Sequence, residues 1–174
     1  MSAMYAVGTS ILCGRMGVCQ VESIGAPPFE RENGRSYYKL RARFSSSGEL
    51  IYIPVDAEDS MRPLIDGGEA AGYLDRLSAL EARAFHSRHP ADLTTHYQKL
   101  LATCRLEDCL VLLKELHCKQ KELAARSKKL GQVDVRYQKL AERLVCEDFA
   151  AALDTTPDSM RGRLYAAMET DTAQ

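Results

Sequence analysis

Several features are missing from this 174-residue sequence, and each absence narrows the classes of protein that it can encode. No run of 18 or more apolar residues occurs, so we expect no membrane-spanning helix and no membrane partner. The first seven residues lack a basic stretch followed by an apolar core, so we expect no signal peptide and a cytoplasmic location. Neither a GxxxxGKS/T loop nor a GxGxxG turn after a strand is present, which argues against the common nucleotide-binding folds.

Cysteine and histidine are present but form no recognisable site. None of the six cysteines belongs to a CxxC pair, and in a cytosolic chain we expect reduced thiols that pack as small apolar groups. One alternative stays open, a zinc site built from Cys104, Cys109, His117 and Cys118. These spacings fit no familiar ligand pattern, so we expect neither a metal ion nor a cofactor. No Ser/His/Asp or Cys/His arrangement follows from the spacing, and we expect no enzyme.

The first 63 residues have the pattern of short β-strands. Apolar side chains alternate with polar ones in the clearest segment, where one face carries Tyr38, Leu40, Ala42 and Phe44. This period of two is typical of a half-buried strand. Strands are predicted over 5–13, 17–24, 36–44 and 49–55. Short antiparallel strands separated by Gly and Pro predict a small β-barrel of the Tudor or SH3-like kind, which hides its strand edges by closing.

After Pro63 the apolar spacing becomes helical. Amphipathic segments are predicted over 68–86, 90–101, 106–127 and 132–153, and a short fifth helix over 157–168. Thr156 and Pro157 supply an N-cap and a first helical residue for the last of these. The sequence therefore predicts an α+β protein with a β-barrel domain at 1–63 and an all-α domain of about five helices at 64–174.

Basic residues are concentrated in the middle of the helical half. Residues 97–143 hold 11 basic and 6 acidic side chains, a net charge of +5, although the whole chain has a net charge of −1. Lys114, Lys121 and Lys128 are seven residues apart and are predicted to lie along one side of the third helix. Two interpretations stay open: the stripe follows a phosphate backbone, or it is a solvated face balanced by neighbouring glutamates.

The order of several segments resembles a known family. The segments are Tyr5–Ile24, Tyr37–Leu40, Ile51–Asp56, Ser60–Ile65, Leu110–Leu116 and Lys128–Tyr137. The first four are similar to the polymerase-interacting domain shared by CarD regulators and the transcription-repair coupling factor, and the last two are similar to the helical half of CarD proteins. The similarity extends over about residues 4–154. The coupling factor is a large helicase, and a chain of 174 residues without a nucleotide loop does not fit that member.

The resemblance implies a partner for the β-barrel. In this family the barrel adds a strand to the edge of a sheet in the RNA polymerase β subunit, so that main-chain hydrogen bonds supply affinity and side chains supply specificity. The polymerase-binding residues that the resemblance implies here are Arg41, Arg43, Ile51, Tyr52 and Ile53. Tyr52 alternates with the more core-like isoleucines, which favours an exposed position for its ring.

The resemblance also implies that the helical domain contacts promoter DNA at the upstream edge of the melted region. In the family, basic residues hold phosphates and a tryptophan wedges into the minor groove, which slows reannealing. This sequence departs from the family because it has no tryptophan. Phe85 or His86 can take that place, or Phe85 is simply the last core residue of its helix. The implied DNA-binding residues are Phe85, His86, Arg88, Lys121, Lys128, Lys129 and Arg136.

These observations lead to one functional hypothesis and one alternative. The hypothesis is a nucleoid-associated bacterial transcription regulator that binds the polymerase β subunit and stabilises the promoter open complex, with weakly sequence-specific contacts to DNA. The alternative is a polymerase- or protein-binding adaptor whose helical domain recruits a protein partner instead of DNA. The missing tryptophan and the acidic C-terminal segment favour the alternative.

Overall fold

The structure is a computed structural model that describes residues 4–30, 32 and 34–169. The chain divides into two compact units, Met1–Leu64 and Ile65–Gln174. The first unit is built from β-strands and the second from α-helices. The predicted α+β class is therefore confirmed.

The first unit is one antiparallel sheet of five strands. The strands are β1 (Ser10–Cys13), β2 (Gly17–Gly25), β3 (Tyr37–Ala42), β4 (Leu50–Pro54) and β5 (Met61–Pro63). Their order across the sheet is β4-β3-β2-β1-β5. All five strands contribute side chains to one core cluster, as in a small barrel. Within the described residues β4 and β5 do not pair, so the predicted closure of the barrel does not occur. A β-bulge in β2, between Val21 and Ser23, adds to the twist.

One face of this sheet forms the core of the unit. Tyr38 and Leu40 are fully buried on β3, as the alternation predicted, and Ile51 and Ile53 on β4 pack against the same cluster. The buried members of the cluster are Ile11, Cys13, Cys19, Val21, Tyr38, Leu40 and Met61. The opposite face of β3 and β4 carries polar and aromatic side chains together with the partly exposed Leu50.

Two strand predictions need correction. The strand predicted over 5–13 begins only at Ser10, and the segment before it forms bends and turns. The strand β5 was not predicted, because three residues are too few to show an alternating pattern. β5 exists because β1 pairs with it, with Cys13 opposite Met61, and a contact between residues so far apart in sequence leaves no local signal.

The second unit contains five helices. They are α1 (Gly67–Arg76), α2 (Pro90–Ala102), α3 (Leu106–Ala124), α4 (Gln132–Ala152) and α5 (Pro157–Glu169). Pro90 and Pro157 open their helices as predicted, and the Thr156 hydroxyl accepts a hydrogen bond from the Ser159 N–H at 3.2 Å. The largest fully buried side chains of this unit are Leu77, Tyr97, Leu110, Leu112, Leu113, Leu116, Tyr137 and Phe149.

The first helix is much shorter than the predicted segment 68–86. It ends at Arg76, and residues 77–89 continue as turns, irregular chain and bends. The cause lies on α3, where the Lys114 ammonium donates three hydrogen bonds of 2.7–2.8 Å to main-chain carbonyls of the departing chain. The three carbonyls belong to Leu77, Ser78 and Leu80. A charged donor thus satisfies groups that would otherwise accept from the next helical turn.

The third helix also ends earlier than predicted, at Ala124 instead of residue 127. Its end is a Schellman motif: the Lys128 N–H donates to the Leu123 carbonyl at 2.7 Å and the Ser127 N–H donates to the Ala124 carbonyl at 3.0 Å. Ser127 occupies the left-handed position of this motif, with φ of 57°. Glycine usually fills that position, and its absence explains why the sequence pattern did not show the boundary.

Candidate functional site

The outer border of β4 presents main-chain hydrogen-bonding groups. The Ala42 N–H donates to the Glu49 carbonyl, which sets the alternation of hydrogen-bonded positions between β3 and β4. The N–H and C=O groups of Leu50 and Tyr52 therefore point away from β3. No other strand in the described part of the chain pairs with that side of β4.

Both borders of the sheet contain a proline, but they differ in length. β4 has five residues and ends at Pro54. The Pro54 carbonyl is not available to an added strand, because it already accepts a hydrogen bond from the Ala57 N–H at 3.0 Å. β5 has only three residues and ends at Pro63, which has no N–H to donate. Short strands and prolines blunt an edge against pairing. The β4 border is therefore the better template for an added strand.

The solvent face beside β4 carries a small ionic cluster. The Glu22 carboxylate, at the β2 bulge, accepts a hydrogen bond from the Arg41 guanidinium, and it lies 3.8 Å from the Lys39 ammonium. The hydrogen bond from Arg41 is the largest cause that lowers the pKa of Glu22. Arg41 also donates to the Gly48 carbonyl at 3.0 Å. The guanidinium of Arg41 is thus held in place beside the strand.

An aromatic cluster adjoins the same face. Phe29 meets Tyr52 edge-on, with ring centroids 5.5 Å apart, and meets Tyr37 edge-on at 5.9 Å. Phe29 as a residue remains 67% exposed. The Tyr37 hydroxyl donates to the Glu30 carboxylate at 2.6 Å, and this hydrogen bond raises the pKa of Tyr37. We call Phe29, Tyr37 and Tyr52 the aromatic platform.

The turn that carries Phe29 is conformationally restricted. The Glu30 N–H donates to the Pro27 carbonyl at 3.3 Å, which closes a four-residue turn. Pro27 is buried, and Pro28 occupies the second position of the turn, where its ring fixes φ. Phe29 is therefore held in an exposed position by a turn with little freedom to lose on binding.

The structure places the predicted polymerase-binding residues in three different environments. Tyr52 belongs to the aromatic platform, and Arg41 lies on the same face of the sheet. Arg43 follows β3 and its guanidinium lies 5.4 Å from the Phe44 ring centre. The side chains of Ile51 and Ile53 instead pack against the core, so only their main chain lies near the border.

Sequence reasoning did not single out Phe29. It lies in a loop between strands, outside any alternating pattern, and so offers no periodic signal. An aromatic residue placed directly after two prolines was the one available clue, since a restricted turn holds the ring exposed.

Residues 5–65 match the family model of the CarD-like/TRCF RID domain. The first unit belongs to this domain family. A match of this kind indicates a protein that interacts with RNA polymerase, and it covers every strand of the sheet, the β4 border and the aromatic platform. No curated protein matches the chain. We refer to the first unit below as the RID domain.

In the helical unit, several basic residues of the predicted phosphate-binding region are engaged within the fold. Lys114 is only 8% exposed. The Lys119 ammonium forms a buried ion pair with Asp134 at 2.8 Å. Lys121 lies on the surface and pairs with Glu169, near the end of α5, at 3.0 Å. The hydrogen bond from Lys121 is the largest cause that lowers the pKa of Glu169.

The predicted lysine stripe along the third helix is therefore wrong. Lys114 points into the unit, and Lys128 lies in the turn beyond the end of α3. Only Lys121 of the three lies on the exposed surface of the helix itself. Spacing by sevens indicated a shared side of a helix, but the partners of each side chain and the end of the helix were set by tertiary contacts.

The buried pair of Lys119 and Asp134 belongs to a polar network between three helices. The Tyr97 hydroxyl on α2 donates to the other carboxylate oxygen of Asp134 at 2.6 Å. Burial, followed by this hydrogen bond, raises the pKa of Tyr97 far above its ordinary value. The ring of Tyr97 packs on that of Tyr137, with centroids 5.3 Å apart. The network ties α2, α3 and α4 together and is structural in character.

The proposed wedge residues lie in the chain between α1 and α2, not at the end of a helix. Phe85 is half-buried and stacks face-to-face on His96, with centroids 3.9 Å and an interplanar angle of 10°. His86 is exposed and lies 2.9 Å from the Glu122 carboxylate. Arg88 is exposed in the bend before α2. The two aromatic candidates thus both contact other side chains of the unit.

The turn between α3 and α4 presents an exposed cationic segment. Arg126, Lys128 and Lys129 are all exposed, and no ion pair to them occurs among the residues that the structure describes. Arg126 shares a surface cleft with His86, which brings the two predicted regions together. Arg136 is exposed on α4, and its guanidinium lies 5.0 Å from the ring centre of its neighbour Tyr137.

Two features are missing from the described ranges, a cluster of metal-binding side chains and a membrane-spanning helix. No group of three or more His, Cys, Asp or Glu side chains within residues 4–30, 32 and 34–169 is arranged to hold a metal ion. No described helix is both long enough and apolar enough to cross a membrane.

Proposed function

We propose that this protein is a transcription regulator that binds the RNA polymerase β subunit by strand addition at the β4 border. The observation that carries the proposal is the outward direction of the Leu50 and Tyr52 main-chain groups in a RID domain. Main-chain groups at an open strand edge supply affinity to an added strand. The ionic cluster around Arg41 and the aromatic platform flank that edge and supply specificity.

Hydrogen exchange tests the proposed border directly. We expect RNA polymerase to slow amide exchange at Leu50 and Tyr52, because their N–H groups become donors to the added strand. The opposite edge at β5 serves as the internal control and should exchange equally fast with and without polymerase. Protection at β5 with none at β4 would contradict the proposal.

A charge placed at Tyr52 provides a second test. Tyr52→Glu should weaken co-purification with polymerase by more than about tenfold, since a carboxylate is desolvated against the aromatic platform. Val7→Glu is a matched control, because Val7 is 60% exposed in the segment before β1. Crosslinking of the bound wild-type chain then identifies the subunit, and contacts only to a subunit other than β would disprove that part of the proposal.

For the helical unit we propose a contact with promoter DNA that stabilises the open complex. The support is the exposed cationic turn of Arg126, Lys128 and Lys129 together with the nearby His86. Neutralised phosphates release counterions, so each true contact contributes about one unit to the salt dependence of binding. Lys128→Gln and Lys129→Gln should each reduce the slope by about one unit.

Lys99→Gln is the control for this measurement, because Lys99 is an exposed lysine on a different helix. Its salt slope should equal that of the wild type. Equal slopes for all three variants and the wild type would exclude the turn as a phosphate contact.

A substitution at Phe85 tests the proposed insertion into the minor groove separately from the phosphate contacts of the cationic turn. If the ring leaves His96 to enter the minor groove, Phe85→Ala shortens the lifetime of the open complex. If the ring stays stacked, the lifetime equals that of the wild type and the unit is only less stable. Measuring both the lifetime and the unfolding temperature distinguishes the two outcomes.

A second candidate function is an adaptor whose helical unit binds a protein. It is favoured by the internal engagement of Lys114 and Lys119, which leaves fewer cations for phosphates than the sequence suggests. A promoter mobility shift with and without polymerase discriminates between the candidates. An adaptor does not shift the promoter fragment in the absence of polymerase, whereas a DNA-binding helical unit does.

A further inference from the structure

We propose that Phe29 is the side-chain anchor for the strand that the partner adds at the β4 border. That strand must then present apolar side chains at two positions, i and i+2, to the face of the sheet that carries Phe29. This inference rests on the proposed strand addition and specifies the chemistry of the partner. It assigns a role to a loop residue outside the strands themselves.

The register of β4 determines which partner side chains face the platform. Residues that pair across a strand border have their side chains on the same face of the sheet. Leu50 and Tyr52 are the two β4 residues whose main chain points outward, so the partner residues opposite them share their solvent face. Those two partner residues are two apart along an extended strand.

The side chains nearest to these two partner positions are apolar or aromatic, whereas Lys39 and Arg41 lie on the same face one strand further away, on β3. Leu50 is 40% exposed, and Tyr52 is covered only in part by Phe29, which is itself two-thirds exposed. A polar partner side chain packed against the Leu50 side chain or the faces of the Tyr52 and Phe29 rings would lose water there without gaining a hydrogen bond from them. Apolar side chains at i and i+2 would bury the exposed parts of these three residues together.

The length of the contact is limited by the end of the strand. The Pro54 carbonyl is already occupied by the Ala57 N–H, and proline has no N–H of its own. The outward main-chain groups of β4 are therefore the N–H and C=O of two residues, which allow at most four hydrogen bonds. Because so few main-chain bonds form, a side-chain anchor is needed to reach a useful affinity.

Phe29 has the properties of an interface hot spot. Its turn is closed by a hydrogen bond and contains two prolines, and its ring is supported on two sides by Tyr37 and Tyr52. A rigid aromatic side chain loses little conformational entropy on binding. The same rigidity makes its position relative to Leu50 and Tyr52 reproducible from one encounter to the next.

The test measures the affinity of the full-length chain for purified RNA polymerase core enzyme. Phe29→Ala should weaken binding on the order of 30-fold, as expected for removal of a hot spot. Val7→Ala removes an apolar side chain of similar exposure elsewhere in the RID domain, and its affinity should stay within about twofold of wild type. The unfolding temperature of each variant is recorded alongside, and Phe29→Leu replaces Phe29→Ala if the latter unfolds.

A photo-crosslinking amino acid at position 29 then identifies the partner residue that it touches. Replacing that partner residue by serine should weaken binding of the wild type but have little further effect on Phe29→Ala, because the two changes remove the same contact. Wild-type affinity for Phe29→Ala, with β4 still protected, would overturn the anchor and leave the proposed function intact. Absence of binding by the wild type would overturn both.

Discussion

The two units of this protein treat their polar groups in opposite ways. The RID domain leaves main-chain groups of Leu50 and Tyr52 pointing outward and keeps Phe29 exposed beside them. The helical unit has the higher density of cationic residues, yet two of its lysines are buried. The Lys114 ammonium donates to main-chain carbonyls and the Lys119 ammonium pairs with a carboxylate. The number of cationic side chains in a segment is therefore a poor guide to its ability to bind a ligand. What matters is which of them the fold leaves accessible.

The largest expected effect contrasts two lysines of the helical unit. Lys114→Met leaves three carbonyls without their charged donor, so the free energy of unfolding should fall by about 3–5 kcal/mol. Lys128→Met, in the exposed turn, should change it by no more than about 0.5 kcal/mol. Denaturant titration of both variants measures the difference. Similar losses for the two would show that Lys114 is not an internal cap.

The next effect concerns the buried network at Asp134. Tyr97→Phe removes the hydroxyl that donates to this carboxylate and should reduce the free energy of unfolding by about 1–3 kcal/mol. Tyr52→Phe is the matched change in the RID domain, where the ring lies at the surface and little stability should be lost. An equal loss in both variants would contradict the contrast between a buried and an accessible tyrosine.

Alkaline pH is expected to destabilise the helical unit through Tyr73. The Tyr73 hydroxyl donates to the Glu107 carboxylate, and this hydrogen bond raises the pKa of Tyr73 to about 12. The folded protein therefore keeps a proton that the unfolded chain releases near pH 10, and stability must fall as the pH rises from 10 to 12. One such group contributes at most about 1.4 kcal/mol per pH unit, less where solvent reaches it.

Tyr73→Phe should lose stability less steeply over the same range. The measurement is denaturant unfolding at several pH values between 9 and 12, for the variant and the wild type. Parallel curves would show that the hydrogen bond to Glu107 does not control this proton.

The smallest effect lies at the end of α3. Ser127 has φ of 57°, a conformation that costs little for glycine and more for other residues. Ser127→Gly should raise the free energy of unfolding by up to about 1 kcal/mol, and Lys128 should keep its hydrogen bond to Leu123. A decrease in stability would mean that the serine side chain contributes more than the backbone strain removes.

Strong local patterns were sufficient for most of the architecture. The alternation around Tyr38 and Leu40 predicted a strand and its buried face, and prolines 90 and 157 predicted the first residues of two helices. The family resemblance directed attention to Tyr52, which the structure places beside the open border. Each of these predictions depended only on residues that lie close together in the sequence.

Other features depended on partners distant in sequence. The end of α1 depends on Lys114, which lies 37 residues beyond Leu77, and β5 depends on pairing with β1. Phe29 became a candidate only when its contacts with Tyr37 and Tyr52 were known. No periodic pattern can report such contacts, because periodicity describes one element at a time.

The spacing of apolar residues and two prolines were enough to predict the α+β class, the inward face of β3 and the first residues of two helices. The accessibility of each lysine, the end of α1 and the contact of Phe29 with Tyr52 on β4 depend instead on the tertiary structure. The physical reason is that burial and hydrogen bonding at a given residue depend on whatever chain packs against it, and folding brings that chain from elsewhere.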